Sequence, residues 1–253
     1  MVPNENWLFD RYTELSSRSS RVLTALDFGC GAGRVISHSL NEGIGDFWGA
    51  DTYYGDGEIT ARDEHETIPP ATRERIRLLE PGRPLPYDDD SFDFVCSNQV
   101  FEHVDDLAGT IDELARVTRP GGVHLHLFPT LELLREAHLG VPLIHRLPVE
   151  RREAWAKLFY PHAYYADTTS SFDDWWKAMG PFLAERTFYR PRAEYDTAFA
   201  RRFQVTHVEQ SKLAFHLGQS RLRPLRALAH TVPTTVELLR VGTAVHLRLP
   251  ITA

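Results

Sequence analysis

The sequence predicts an α/β protein built on a doubly wound, mostly parallel sheet, and three observations carry that expectation. A short apolar run from Val22 to Phe28 leads into three alternate glycines, Gly29, Gly31 and Gly33, and helix-like periodicity starts at Arg34. Strand-like and helix-like segments then alternate as far as residue 130. The chain has 253 residues, 42% hydrophobic and 25% charged, which suits one domain with decorations and a full core; no repeat or low-complexity run interrupts it.

Each element follows from its residues. Between Asn6 and Arg18, Trp7, Leu8, Tyr12 and Leu15 share one side of a helix, so residues 1–20 read as a leading helix that flanks or covers the ligand end of the sheet. The glycines after the first strand permit positive φ and close approach of a ligand to the backbone. A crossover helix over Arg34–Asn41 is broken by Gly43 and Gly45, and Asp46–Asp51 is a short second strand ending in an acid. Residues 52–75 form an irregular insert, because Gly55, Gly57 and the Pro69-Pro70 pair interrupt any helix.

Ile76–Glu80 is the third strand, and the Leu85–Val104 stretch carries a fourth, with Cys96 inside it. Ile111, Leu114 and Val117 mark a helix over Leu107–Val117, stopped by Arg119-Pro120-Gly121-Gly122, and Val123–Pro129 alternates as a fifth strand. The span from about 131 to 215 is rich in aromatics, among them Trp155, Phe172, Trp175 and Tyr189, and reads as a helical cap inserted into the single domain 1–253. Thr243–Pro250 alternates as a last strand whose partner is open, and Thr234–Val241 fits strand or helix equally by period.

Charge and cysteine use bound the function. A net charge of -7 argues against a general hold on nucleic-acid phosphates, although residues 186–226 carry nine basic side chains against three acidic ones, read as a solvated helical face. Two cysteines make no disulfide framework, and neither a signal pattern nor a run long enough to span a bilayer is visible; a cytoplasmic protein without stable membrane insertion is expected. Self-association into a homo-oligomer is compatible with all of this.

Asp27 sets the chemistry of the glycine loop. A dinucleotide loop offers amide N–H groups to a pyrophosphate dianion, which a carboxylate two residues before the first glycine would repel. The same carboxylate favours a cationic ligand without phosphate, such as S-adenosylmethionine. Leu26-Asp27-Phe28-Gly29-Cys30-Gly31-Ala32-Gly33 resembles the first motif of class I S-adenosylmethionine-dependent methyltransferases. Leu85-Pro86-Tyr87, the acidic turn, Ser91-Phe92-Asp93 and the following Glu102-His103-Val104 are similar to the type-11 pattern of that family, as is Arg116-Val117-Thr118-Arg119-Pro120-Gly121-Gly122.

The resemblance covers residues 22–130. It implies a Rossmann-like, seven-stranded mixed sheet with an antiparallel last strand, and S-adenosyl-L-methionine as cofactor. It also implies a cofactor site of Asp27, Gly29, Cys30, Gly31, Gly33, Asp51, Thr52, Asn98 and Gln99. Asp51, ending the second strand, would accept hydrogen bonds from both ribose hydroxyls.

Methyl transfer to an alcohol calls for a general base, and His138, His145, His103 and Glu102 follow strands four and five at plausible places. His124 and His126 read as structural or pocket-wall residues. Histidines, carboxylates, arginines and aromatic platforms together suit a saccharide or other small polar acceptor, methylated on oxygen. The alternatives are a lipophilic acceptor, such as a quinone or fatty chain, and a catalytically silent regulatory subunit that binds S-adenosylmethionine. The acidic insert with Asp56, Glu58, Asp63, Glu64, His65 and Glu66 is read as a solvated loop; a divalent metal such as Mg2+ there is the other reading, and no metal ligands are assigned.

Overall fold

The computed structural model describes residues 3–52, 68–80 and 82–250. The acidic cluster between residues 56 and 66 lies outside the described residues. Seven strands form one sheet: β1 Thr24–Phe28, β2 Asp46–Asp51, β3 Ile76–Leu78, β4 Phe92–Asn98, β5 Thr118–Phe128, β6 Gln204–His207 and β7 Thr243–Arg248. Their order is β3-β2-β1-β4-β5-β7-β6. The first five are mutually parallel, and β7 runs antiparallel between β5 and β6. The expected seven-stranded mixed sheet is therefore present, with β6 as the partner that β7 lacked in the sequence reading.

Helices cover both faces because each carries one apolar side. α1 (Pro3–Ser16), α2 (Arg34–Glu42) and α8 (Glu209–Gly218) pack one face, where Trp7, Leu8, Tyr12 and Ile36 meet Phe47, Phe94 and Leu125, and the single turn α3 (Pro70–Arg73) is tied to α2 by a hydrogen bond between Thr72 and Ser37. On the other face α4 (Leu107–Val117) and α7 (Arg192–Phe199) bring Ile111, Leu114, Tyr195 and Phe199 against Leu26, Phe92, Val95 and Val245. Asp106 caps α4 by accepting from the Gly109 amide at 2.9 Å, which fixes the helix start where the periodicity placed it.

Two motifs of the type-11 resemblance turn out to be clamps. Asp93 accepts from the Thr24 amide (3.0 Å), Arg119 (2.8 Å) and Arg21, tying the ends of β1, β4 and β5 together. Burial pulls its carboxyl upward, but these donors outweigh it and hold it below the usual range. Arg116 likewise binds the carbonyls of Leu85 and Tyr87 and the carboxylates of Glu113 and Asp89, pinning the approach to β4 onto α4.

Three details differ from the sequence reading. β5 begins at Thr118, not Val123, because Gly121 and Gly122 exchange backbone hydrogen bonds with Leu249 and carry the Pro-Gly-Gly turn into the sheet, with a register shift against Phe92 and Phe94. Thr234–Val241, which fitted either period, is helix α9. The span 131–215 is not all cap: β6 and α8 belong to the sheet and its flank. The cap's own core gathers Leu139, Val141 and Ile144 with residues of α5 (Val149–Phe159) and α6 (Phe172–Glu185), centred on Trp175.

His124 and His126 sit inside β5, fully buried, in a hydrogen-bonded chain. Thr118 donates its hydroxyl to Leu114 O, so it accepts from His124 Nε2; His124 Nδ1 then accepts from His126 Nε2, and His126 Nδ1 from the Ser97 hydroxyl. Burial lowers both imidazoles, His126 to about 3, so both are neutral and each proton position is set. His126→Ala is expected to leave buried groups on both sides unpartnered and to cost about 3–5 kcal/mol of stability. Denaturant unfolding reads this directly, and a loss below about 1 kcal/mol would refute the chain as a structural element.

Candidate active site

The strand order reverses between β1 and β4, so the crevice beyond their carboxyl ends is where a ligand fits. On the β1 side stands the glycine loop. Gly29 and Gly31 have φ of +73° and +51°, a region costly for other residues. A Cβ on Gly29 would fall 2.2 Å from Val100 Cγ2, whereas one on Gly31 would meet nothing within 4 Å. Gly29 is thus required by packing, and Gly31 faces open space at the crevice.

Three acids surround this loop. Asp51 accepts from the Gly31 amide at 2.7 Å, Glu5 of α1 pairs with Arg34 at 2.9 Å, and Asp27 is buried between them. Burial, then the charges of Glu5 and Asp51, push the Asp27 carboxyl up to about 8. Asp51 and Glu5, with Asp27 ionising when a cation binds beside it, suit a positively charged ligand and disfavour a pyrophosphate, so the residues present fit S-adenosylmethionine. Cys30 points inward, its Sγ packed near Gly49, and Thr52 is exposed beyond β2.

α1 reaches the site through Asn4, which donates to Asn98 Oδ1 at 3.0 Å. The next residue, Gln99, takes the left-handed conformation at φ +59°, held by its amide donating to Leu127 O at 2.7 Å. A non-glycine residue in that region at a strand end marks a position whose direction matters more than its backbone comfort.

Gly29→Ala is expected to destabilise the fold by about 2–4 kcal/mol. Gly31→Ala is expected to cost about 1 kcal/mol of stability yet to weaken S-adenosylmethionine binding. Thermal unfolding with and without cofactor separates the two; equal effects of both variants on affinity and stability would contradict the assignment.

On the β4 and β5 side, four of the candidates separate into a group and an outlier. Glu102 and His103 lie in the single turn after β4, and His138 follows β5. The Nε2 atoms of His103 and His138 are each 4.0 Å from the same Glu102 oxygen, and the two rings are 4.9 Å apart. Phe182 of α6 packs against both imidazoles. His145 stands one layer behind, its ring 4.8 Å from Tyr189 and its Nε2 donating to Leu131 O at 3.2 Å.

Two residues that the sequence reading did not select complete this group. Glu136, fully buried, accepts from His138 Nδ1 (2.8 Å), Tyr189 Oη (2.5 Å) and the amides of His138 and Leu139. Burial pulls its carboxyl upward, but the bonds from His138 and Tyr189 win and keep it ionised below the ordinary range. Its neighbour Glu102 has no such donors: burial, augmented by the Glu136 charge, raises it well above the ordinary value. Burial also lowers His103, against a bond from its Nδ1 to Arg186 O at 2.5 Å.

A cleft of about 340 Å3 opens beside Glu136, bounded by Asn4, Gln99, Arg135, Tyr164, Lys212 and Arg240. Its walls carry both signs of charge. Lys212 is pushed down to about 8 by burial, against the pull of Glu237.

Comparison with known proteins agrees with this geometry. A family model described as a methyltransferase domain, of type 11, matches residues 26–126. An uncharacterised methyltransferase of Mycolicibacterium vanbaalenii is 30% identical over 192 residues, covering 72% of this chain and 72% of that protein. The human mitochondrial arginine-hydroxylase NDUFAF5 is 30% identical over 101 residues, 40% of this chain but only 27% of that longer protein. Among solved structures, an S-adenosylmethionine-dependent methyltransferase from Mesorhizobium loti shares the fold, with a TM-score of 0.52 at 16% identity over 90% of this chain and 91% of that one. The chain belongs to the class I S-adenosylmethionine-dependent methyltransferases.

Proposed function

We propose that this methyltransferase acts on oxygen, methylating a hydroxyl of a small polar acceptor of the saccharide or glycan-precursor type. The observation that carries the reading is the Glu136–His138 pair. A carboxylate held ionised by four donors fixes the imidazole with its proton on Nδ1 and turns a free Nε2 lone pair toward the space that Glu102 and His103 border. His138 keeps 19% of its side-chain surface exposed, enough for an acceptor to reach it, whereas Glu136 keeps none.

Bound S-adenosylmethionine supplies an electrophilic methyl group on a sulfonium. In this reading Asp27, Gly29, Cys30, Gly31, Gly33, Asp51, Thr52, Asn98 and Gln99 hold that donor, with Asp51 on the ribose and Gln99 at the methionine end. His138 Nε2 would take the hydroxyl proton as the acceptor oxygen bonds to the methyl carbon and the carbon–sulfur bond breaks, releasing S-adenosylhomocysteine, and Glu136 would stabilise the resulting imidazolium. Phe182 and the cap exclude water from the reacting carbon. The mixed charges of Arg135, Lys212, Glu237 and Arg240 suit an acceptor rich in hydroxyls. No helix among the described residues is long and apolar enough to cross a membrane, which fits the proposed cytoplasmic work on a polar metabolite.

The test offers the protein isotopically labelled S-adenosylmethionine with a panel of saccharides, nucleotide sugars, quinols and fatty acids. A labelled methyl ether on a saccharide supports the reading. Methylation confined to quinols or fatty chains would replace it with a lipophilic acceptor, and tight cofactor binding with no turnover on any acceptor would replace it with a regulatory role.

A further inference from the structure

We propose that Glu102, His103 and His138 form a binding site for one divalent transition-metal ion. One ligand atom from each converges, all within 4.8 Å of one another. Both imidazole Nε2 atoms stand 4.0 Å from Glu102 Oε1. A four-coordinate ion with bonds of about 2.0–2.1 Å spaces its ligands about 3.3 Å apart, so closing the site takes about 0.7 Å between Glu102 and each imidazole and at most about 1.5 Å, shared by two side chains, between any pair.

What lies behind the three ligands is the stronger argument. A histidine that binds a metal through one nitrogen normally donates its other N–H to a carboxylate or a backbone carbonyl, which fixes the tautomer and aims the lone pair. Both imidazoles are arranged in that way: His138 Nδ1 donates to Glu136 and His103 Nδ1 to Arg186 O. Each therefore presents a lone pair, not a proton, on the side facing Glu102. Glu102 is fully buried, and neither carboxylate oxygen has a hydrogen-bond partner. Leaving such a group unsatisfied costs free energy, and a cation between it and the two lone pairs removes that cost.

The donor set selects the ion. Two imidazoles and one carboxylate favour Zn2+, Fe2+ or Co2+ over Mg2+ or Ca2+, which require mostly oxygen ligands. Three protein ligands also leave a position open for a water or a hydroxyl. The site goes beyond the O-methylation reading, in which His138 acts as base in the metal-free protein, and rests on that reading only for what the ion does there. A bound ion occupies Nε2 of His138, so ion binding and proton acceptance by that atom exclude one another. With the ion in place, a coordinated acceptor hydroxyl would be acidic enough to lose its proton to water as its oxygen attacks the methyl carbon and the carbon–sulfur bond breaks, releasing S-adenosylhomocysteine.

The test uses the full chain, stripped with a chelator and titrated with Co2+ alone. Saturation at one ion per chain, with the visible absorption of low-coordinate cobalt, displacement by Zn2+ and none by excess Mg2+, is the expected result. His103→Ala, His138→Ala and Glu102→Gln should each weaken binding at least about tenfold, and Glu136→Gln by about 10–100-fold. Because a variant can lose its fold, the unmutated protein is also read by nitrogen-15 NMR. Two histidine Nε2 signals should move on addition of Zn2+ while their Nδ1 atoms stay protonated.

Absence of saturable binding, binding unchanged in both histidine variants, or no histidine shift overturns the proposal. All these readouts are taken without acceptor, so failure to find a methyl ether leaves them standing, and failure to bind cobalt leaves the acceptor assay standing.

Discussion

His138→Ala is expected to lower single-turnover methyl transfer by about 10²- to 10⁴-fold at saturating S-adenosylmethionine, while the affinity for that cofactor is expected to stay unchanged. The expected effect is large because the proposed mechanism gives the imidazole two linked tasks. It would take the proton through Nε2, and its Nδ1–H is bound to the buried Glu136 carboxylate that would stabilise the imidazolium. Water entering the vacated space can partner Glu136 but is a far weaker base. His145→Ala is the contrast: its Nε2 is committed to Leu131 O and its ring leans on Tyr189, so it moves the rate only through packing. A rate loss confined to His145→Ala, with His138→Ala at the wild-type rate, would reverse the assignment.

The second large effect belongs to Asp27. Its carboxyl is pushed up from an ordinary value of 3.8 to about 8, first by burial and then by the charges of Glu5 and Asp51; Cys96 and Arg34 act the other way. A cationic ligand favours the ionised form. Affinity for S-adenosylmethionine should therefore rise with pH from 6 to 8, approaching about tenfold per unit, and level off above. Asp27→Asn should flatten the profile and weaken binding.

The same shift has the opposite sign for folding. A raised carboxyl stabilises the folded state fully below the unfolded value and loses that contribution as pH rises through the folded one. The cofactor-free protein should thus lose stability between about pH 4 and pH 8, less so in Asp27→Asn. Calorimetric titration and thermal unfolding across that range check both, and a wild-type affinity independent of pH would contradict the charge argument.

Legibility in the sequence followed the range of the interactions involved. α4 could be read because its apolar spacing, Ile111, Leu114 and Val117, is local, and the glycine loop because positive φ demands glycine at Gly29 and Gly31. β6 could not: four residues with alternate exposed positions carry too little pattern, and only pairing with β7 makes them a strand. α9 was ambiguous for the same reason, its eight residues fitting two periods until packing on α8 decided between them.

The candidate site divides along the same line. His138 and Glu102 were visible as chemistry after strand ends. Glu136 was hidden as one acid among many, and Tyr189 as one aromatic of the cap. Tyr189 meets Glu136 across 53 residues of sequence, a contact made only when the chain returns from α6 and Phe188 bonds to Glu102 O. The Arg135-Glu136-Ala137-His138 spacing was the available signal, a carboxylate two residues before a histidine. Asp93 was read correctly as a motif residue, but its work is to clamp strand ends.

The most direct test of the account is a crystal structure with S-adenosylhomocysteine and a bound hydroxyl-bearing acceptor. The account predicts the sulfur beside Gln99, the ribose on Asp51, and the acceptor oxygen between the sulfur and His138 Nε2, within hydrogen-bond reach of that nitrogen. An acceptor oxygen out of reach of His138, His103 and Glu102, or a sulfur walled off from all three, would contradict it.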